Sequence, residues 1–151
     1  MVYVTIHGSW MILAVLVGTV AGYMGLVNAT ANKEGRSPLP GRFIYKAHVG
    51  FGAAYYAMIY VGALFGWIMF EFLLGDVPVM PPNIGRVHLA LAISIATLYG
   101  AGAVLGWTMT KRPAGEARLR PRLHMALNFT ACTLAGVQIA LAAYYVWIWP
   151  A

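Results

Sequence analysis

The chain has 151 residues, 61% of them hydrophobic and only 9% charged, with a formal net charge of +6. Soluble domains are about 45–50% apolar and about 25% charged, so this chain has too little charge to coat a globular surface in water. Nucleic-acid binding is excluded as well, because long apolar runs separate the ten Lys and Arg residues and no basic face forms.

A membrane-spanning helix needs about 20 mostly apolar residues, and four such stretches follow one another. The first covers about 3–27 without a single charge, and the segment Asn32–Gly41 ends it. The second covers about 42–73, with Lys46 near its start, and is closed by Gly75–Asn83. The third covers about 84–109, the segment Lys111–Pro121 follows, and the fourth covers about 121–149. Each connecting segment is rich in Gly and Pro, which ends one helix and opens the next. Open strands cannot face lipid, and the runs are too long for barrel strands. The expected fold is therefore all-α: a single integral membrane domain over 1–151, built as a four-helix antiparallel up-down bundle.

Charge predicts the orientation. Lys33, Arg36, Arg42, Lys46, Lys111, Arg112, Arg118, Arg120 and Arg122 flank the first and third connections, whereas the second has Arg86 alone. The positive-inside rule then places loops 28–41 and 110–120 in the cytoplasm and both termini on the outer side of a bacterial inner membrane or its organelle equivalent. The N-terminal run lacks the basic region and small-residue cleavage site of a secretory signal, so the first helix is expected to be retained.

Four histidines stand out, one near the N-terminal end of each span: His7, His48, His88 and His124. In an up-down bundle, His7 and His88 share one side of the membrane, while His48 and His124 share the other. Each pair comes from diagonal helices. The positive end of the helix dipole keeps such a histidine neutral, as a metal ligand must be. Two facing imidazoles suit the axial positions of a haem iron, whereas zinc or copper would want three or four protein ligands. A lone interfacial histidine is more often simply wetted, but four at matched depths, one per helix, favour ligation. With each histidine about five residues inside its helix, the two irons are expected about 15–20 Å apart across the bilayer. The single Cys132 excludes C-x-x-C-H attachment, so the haems would be non-covalent.

This arrangement resembles the four-helix core of the cytochrome b561 family. The stretches Ile6-His7-Gly8-Ser9-Trp10-Met11 and Arg122-Leu123-His124-Met125-Ala126-Leu127-Asn128, with Gln138, look closer to an uncharacterised relative known from photosynthetic bacteria and plastids. The resemblance implies two non-covalent b haems, held by His7 with His88 and by His48 with His124, and electron transfer across the membrane.

Supporting residues follow. Gly18/Gly22, Gly62/Gly66 and Gly102/Gly106 form G-x-x-x-G pairs, which either pack helices closely or leave room for a macrocycle. Gly102 and Gly106 fall at the level of the His48–His124 pair. Arg120 and Tyr45, four and three residues before a histidine, are placed to meet haem propionates. Asn128 and Gln138 read as interhelical hydrogen-bonding residues. The expected partners are an electron donor and an acceptor on opposite membrane faces, a quinone or a soluble redox protein. Two other readings remain open: a haem-bearing anchor subunit of a quinone-linked redox or photosynthetic complex, and a haem-free structural or transport protein.

Overall fold

The computed structural model describes residues 2–34, 41–73, 81–110 and 119–145, and all of these but Pro81 are helical. The helices are α1 (Val2–Glu34), α2 (Gly41–Ile68, continued by a π-helical turn, Met69–Leu73), α3 (Pro82–Thr110) and α4 (Leu119–Ala143). All four are long and apolar enough to cross a membrane, which makes the chain an integral multi-pass membrane protein. Of the loops assigned to the cytoplasm, residues 35–40 and 111–118 lie outside the described residues, as does the expected end of the fourth span.

The ends of the helices follow local chemistry. Pro82 opens α3 with no N–H to leave unpaired, and the carbonyl of Pro81 accepts from the amides of Ile84 (2.9 Å) and Gly85 (3.0 Å). Helix α1 runs on to Glu34, seven residues past the apolar stretch. Lipid sets where the apolar residues stop, but backbone hydrogen bonding can carry a helix on into water.

The four helices pair into two close hairpins, α1 on α2 and α3 on α4, which face each other at larger backbone separation. Among the described residues, no Cα of α1 comes within 8 Å of α3, nor any of α2 of α4, so these are the diagonals. Large apolar side chains point outward, among them Leu16, Leu64, Ile93 and Phe129. Lipid solvates them as well as a protein core would, so burial is left to small residues and to groups that pack or hydrogen-bond across helices.

The buried set has a simple register. Seven residues after each histidine comes Ala14, Tyr55, Ile95 or Ala131, and all four are buried. Eleven residues after come Gly18, Ile59, Tyr99 and Ala135, of which the last three are buried. Fourteen after come Ala21, Gly62, Gly102 and Gln138, again all buried. Among the described residues no other position is buried. Steps of 7, 11, 14 and 18 return to nearly the same face of a 3.6-residue helix. All four histidines therefore lie on the inward stripe of their helix, in equivalent places.

Candidate functional site: two histidine layers around a tyrosine centre

The eighteenth residue after each histidine completes this register. It is Gly25 on α1, Gly66 on α2, Gly106 on α3 and Ala142 on α4. Three histidine rings rest on these glycines of the antiparallel neighbour. A Cβ added at Gly25 would meet Cε1 of His48 at 2.9 Å, one at Gly66 would meet Cε1 of His7 at 2.8 Å, and one at Gly106 would meet Cε1 of His124 at 3.0 Å. The fourth ring, His88, has no such glycine opposite it and meets Gln138 instead.

The His48–His124 layer is the more completely built. Nδ1 of His48 lies 2.8 Å from the carbonyl oxygen of Ala21, and Nδ1 of His124 lies 2.7 Å from that of Gly102. Ala21 and Gly102 are the residues fourteen after a histidine on α1 and α3. A carbonyl can only accept, so both Nδ1 atoms carry the proton and both Nε2 atoms keep a free lone pair. The two rings reach across the α2–α4 diagonal to a centroid separation of 6.0 Å, with their planes at 83°. Two imidazoles on opposite sides of one metal ion, with metal–nitrogen bonds of about 2.0–2.1 Å, have ring centres about 6 Å apart. An Nδ1–H held by a backbone carbonyl is also the usual outer support of a ligating histidine. This pair fits a shared axial site.

Asn128 ties this layer to the centre. Its Nδ2 donates to the backbone carbonyl of His124 (2.7 Å), and its Oδ1 accepts from the hydroxyl of Tyr56 on the diagonal helix (2.8 Å). Gly102 and Gly106, expected either to pack helices or to leave room for a macrocycle, are packed against Asn128 and His124 respectively. Tyr45 is exposed near the start of α2, and Arg120 is partly exposed at the start of α4.

The His7–His88 layer uses the same register with different contacts. His7 and His88 come from diagonal helices, α1 and α3. Both Nδ1 atoms are buried without a hydrogen-bond partner, unlike those of the other layer. The Gln138 amide nitrogen lies 3.2 Å from the carbonyl oxygen of His88 and 3.1 Å from its Nε2. The His7 ring also packs near Phe65, with centroids 6.1 Å apart.

Along each helix the opposite layer lies 14–18 residues away, or about 21–27 Å at 1.5 Å per residue. Tyrosines fill the space between. The Tyr55 and Tyr99 rings meet edge-on at 4.6 Å, and Tyr56 lies 5.9 Å from Tyr99. The hydroxyls of Tyr55 and Tyr99 are both buried without a hydrogen-bond partner.

Histidines, Asn128 and Gln138 were all legible in the sequence as polar groups in apolar spans. The tyrosine centre and the Gly25 seat were not singled out. The signal that finds them is the shared register: laying the four spans over one another on their histidines aligns Gly25 with Gly66 and Gly106. Among the described residues no cluster of three or more His, Cys, Asp or Glu could hold a metal ion, so each layer offers two ligands only. Set against protein-family models, curated proteins and solved structures, the chain matches none.

Proposed function

We propose that the chain is a b-type cytochrome of the membrane, carrying electrons between its two faces, with His48 and His124 as axial ligands of one non-covalent haem and His7 and His88 of another. The observation that carries this reading is the His48–His124 pair: two rings from diagonal helices, 6.0 Å apart, each with Nδ1 on a backbone carbonyl and Nε2 left to bind. A bis-imidazole haem supplies a one-electron couple with no open coordination position, which suits electron transfer rather than oxygen activation.

The chain's own contribution is to hold the histidines in place. The carbonyls of Ala21 and Gly102 fix the histidine tautomers, and the glycine seats fix the ring positions. The excess of Lys and Arg beside the first and third connections supports a cytoplasmic position for the His48–His124 layer, where Arg120 and Tyr45 would hold propionates and a donor or quinone would dock. The His7–His88 layer then exchanges with a partner on the outer side.

Haem content tests this directly. A pyridine haemochrome assay on the purified full chain is expected to return about two b haems per polypeptide, extractable by acid-acetone. A colourless protein would overturn the reading and favour a haem-free structural or transport role.

A further inference from the structure

The four helices share one register, and α4 departs from it at two inward positions. Fourteen residues after the histidine, the other three helices have Ala21, Gly62 and Gly102, whereas α4 has Gln138; eighteen after, they have Gly25, Gly66 and Gly106, whereas α4 has Ala142. Both departures fall on the helix beside His88. Gln138 is buried, and the orientation of its amide is set by its contacts. The carbonyl oxygen of His88 at 3.2 Å can only accept, so the NH2 end faces His88. One N–H serves that carbonyl and the other points to Nε2 of His88 at 3.1 Å. Nε2 is therefore the acceptor, and the ring proton sits on the buried, unpartnered Nδ1. In this state neither nitrogen of His88 is free to ligate: one lone pair is taken and the other nitrogen is protonated.

We propose that Gln138 withholds His88 from coordination, so that the His48–His124 pair takes its haem first and the His7–His88 pair takes one only once the amide has let go. The inference rests on reading both pairs as haem ligands. His48 and His124 enter binding in the ligating tautomer with Nε2 unengaged. His88 must first lose a hydrogen bond in a poorly hydrated place and leave an amide N–H without its partner. An exchange of that kind weakens binding by about tenfold. Gln138 is thus a positioning residue that makes two otherwise equivalent sites unequal and gives the protein an order of loading.

The test is a titration of haem b into the full-length, haem-free protein in detergent micelles, followed by absorbance, for the wild type, Gln138→Ala and Gln138→Leu. Alanine restores the residue found at the equivalent position of α1, and leucine keeps the volume without the amide. The wild type is expected to load in two phases at least several-fold apart in affinity, the weaker one missing in His7→Ala. Either Gln138 variant should strengthen the weaker phase by about tenfold and leave the stronger phase where it is. A gain of this kind is not what damaged packing produces. Equal phases in the wild type, or a weaker phase unmoved or lost in both variants, would overturn the role of Gln138 while leaving two haem sites in place. Absence of any haem binding would overturn both this inference and the electron-transfer reading.

Discussion

The ring of His124 stands against the bare Cα of Gly106, where a side-chain methyl would come within 3.0 Å of Cε1. The glycine is therefore part of the histidine's seat, and its missing side chain sets where the ring can be. Gly106→Ala should cost about 1–3 kcal/mol through overpacking and shift the spectrum of the haem at the His48–His124 pair. Gly106→Leu should abolish that haem and spare the other. Gly22→Ala, where nothing lies within 4 Å of the added carbon, should change neither. Haem content and difference spectra of the three variants check this.

Hydroxyls in the tyrosine centre are in opposite situations. That of Tyr56 donates to Asn128 across the bundle, so Tyr56→Phe leaves a part-buried amide oxygen unpaired. Thermal unfolding in detergent should show a loss of about 1 kcal/mol. The hydroxyl of Tyr99 is buried without a partner, and Tyr99→Phe removes a polar atom that has nothing to lose. Its stability should equal or exceed that of the wild type.

Orientation has its own test. Ser37, Ala114 and Val79 lie outside the described residues, in the three connections. A cysteine at Ser37 or Ala114, with Cys132 replaced by alanine, should be shielded from a membrane-impermeant thiol reagent in intact cells, while one at Val79 should react. The reverse pattern would exchange the faces served by the two histidine layers and leave the ligand pairs as they are.

Four spans, their alternation and the diagonal placement of the histidines were legible because lipid imposes length and hydropathy on any crossing helix, and up-down connectivity follows from short loops. The pairing of His48 with His124 could be read for the same reason: depth alone allows it. Contacts within each layer were less accessible. Nothing in the sequence around His88 says that the Gln138 amide will take its Nε2, since that depends on which turn of α4 stands opposite. Nor does a G-x-x-x-G pair reveal whether it faces a helix, a ring or empty space; Gly106 meets His124, whereas Gly22 meets nothing. The first apolar span ends near Asn28, as its composition indicates, while α1 itself continues to Glu34, because hydropathy marks where lipid stops, not where helical hydrogen bonding stops.

Paired ligation is the centre of the account, and the spectra of the four single His→Ala variants test it most directly. Two residues that hold one iron act as a unit, so their effects do not add. Low-temperature reduced-minus-oxidised spectra should show His48→Ala and His124→Ala erasing the same component while sparing the second, and His7→Ala and His88→Ala erasing that second component while sparing the first. Loss of one and the same component in His7→Ala and His48→Ala, which lie at opposite ends of the bundle, would contradict it.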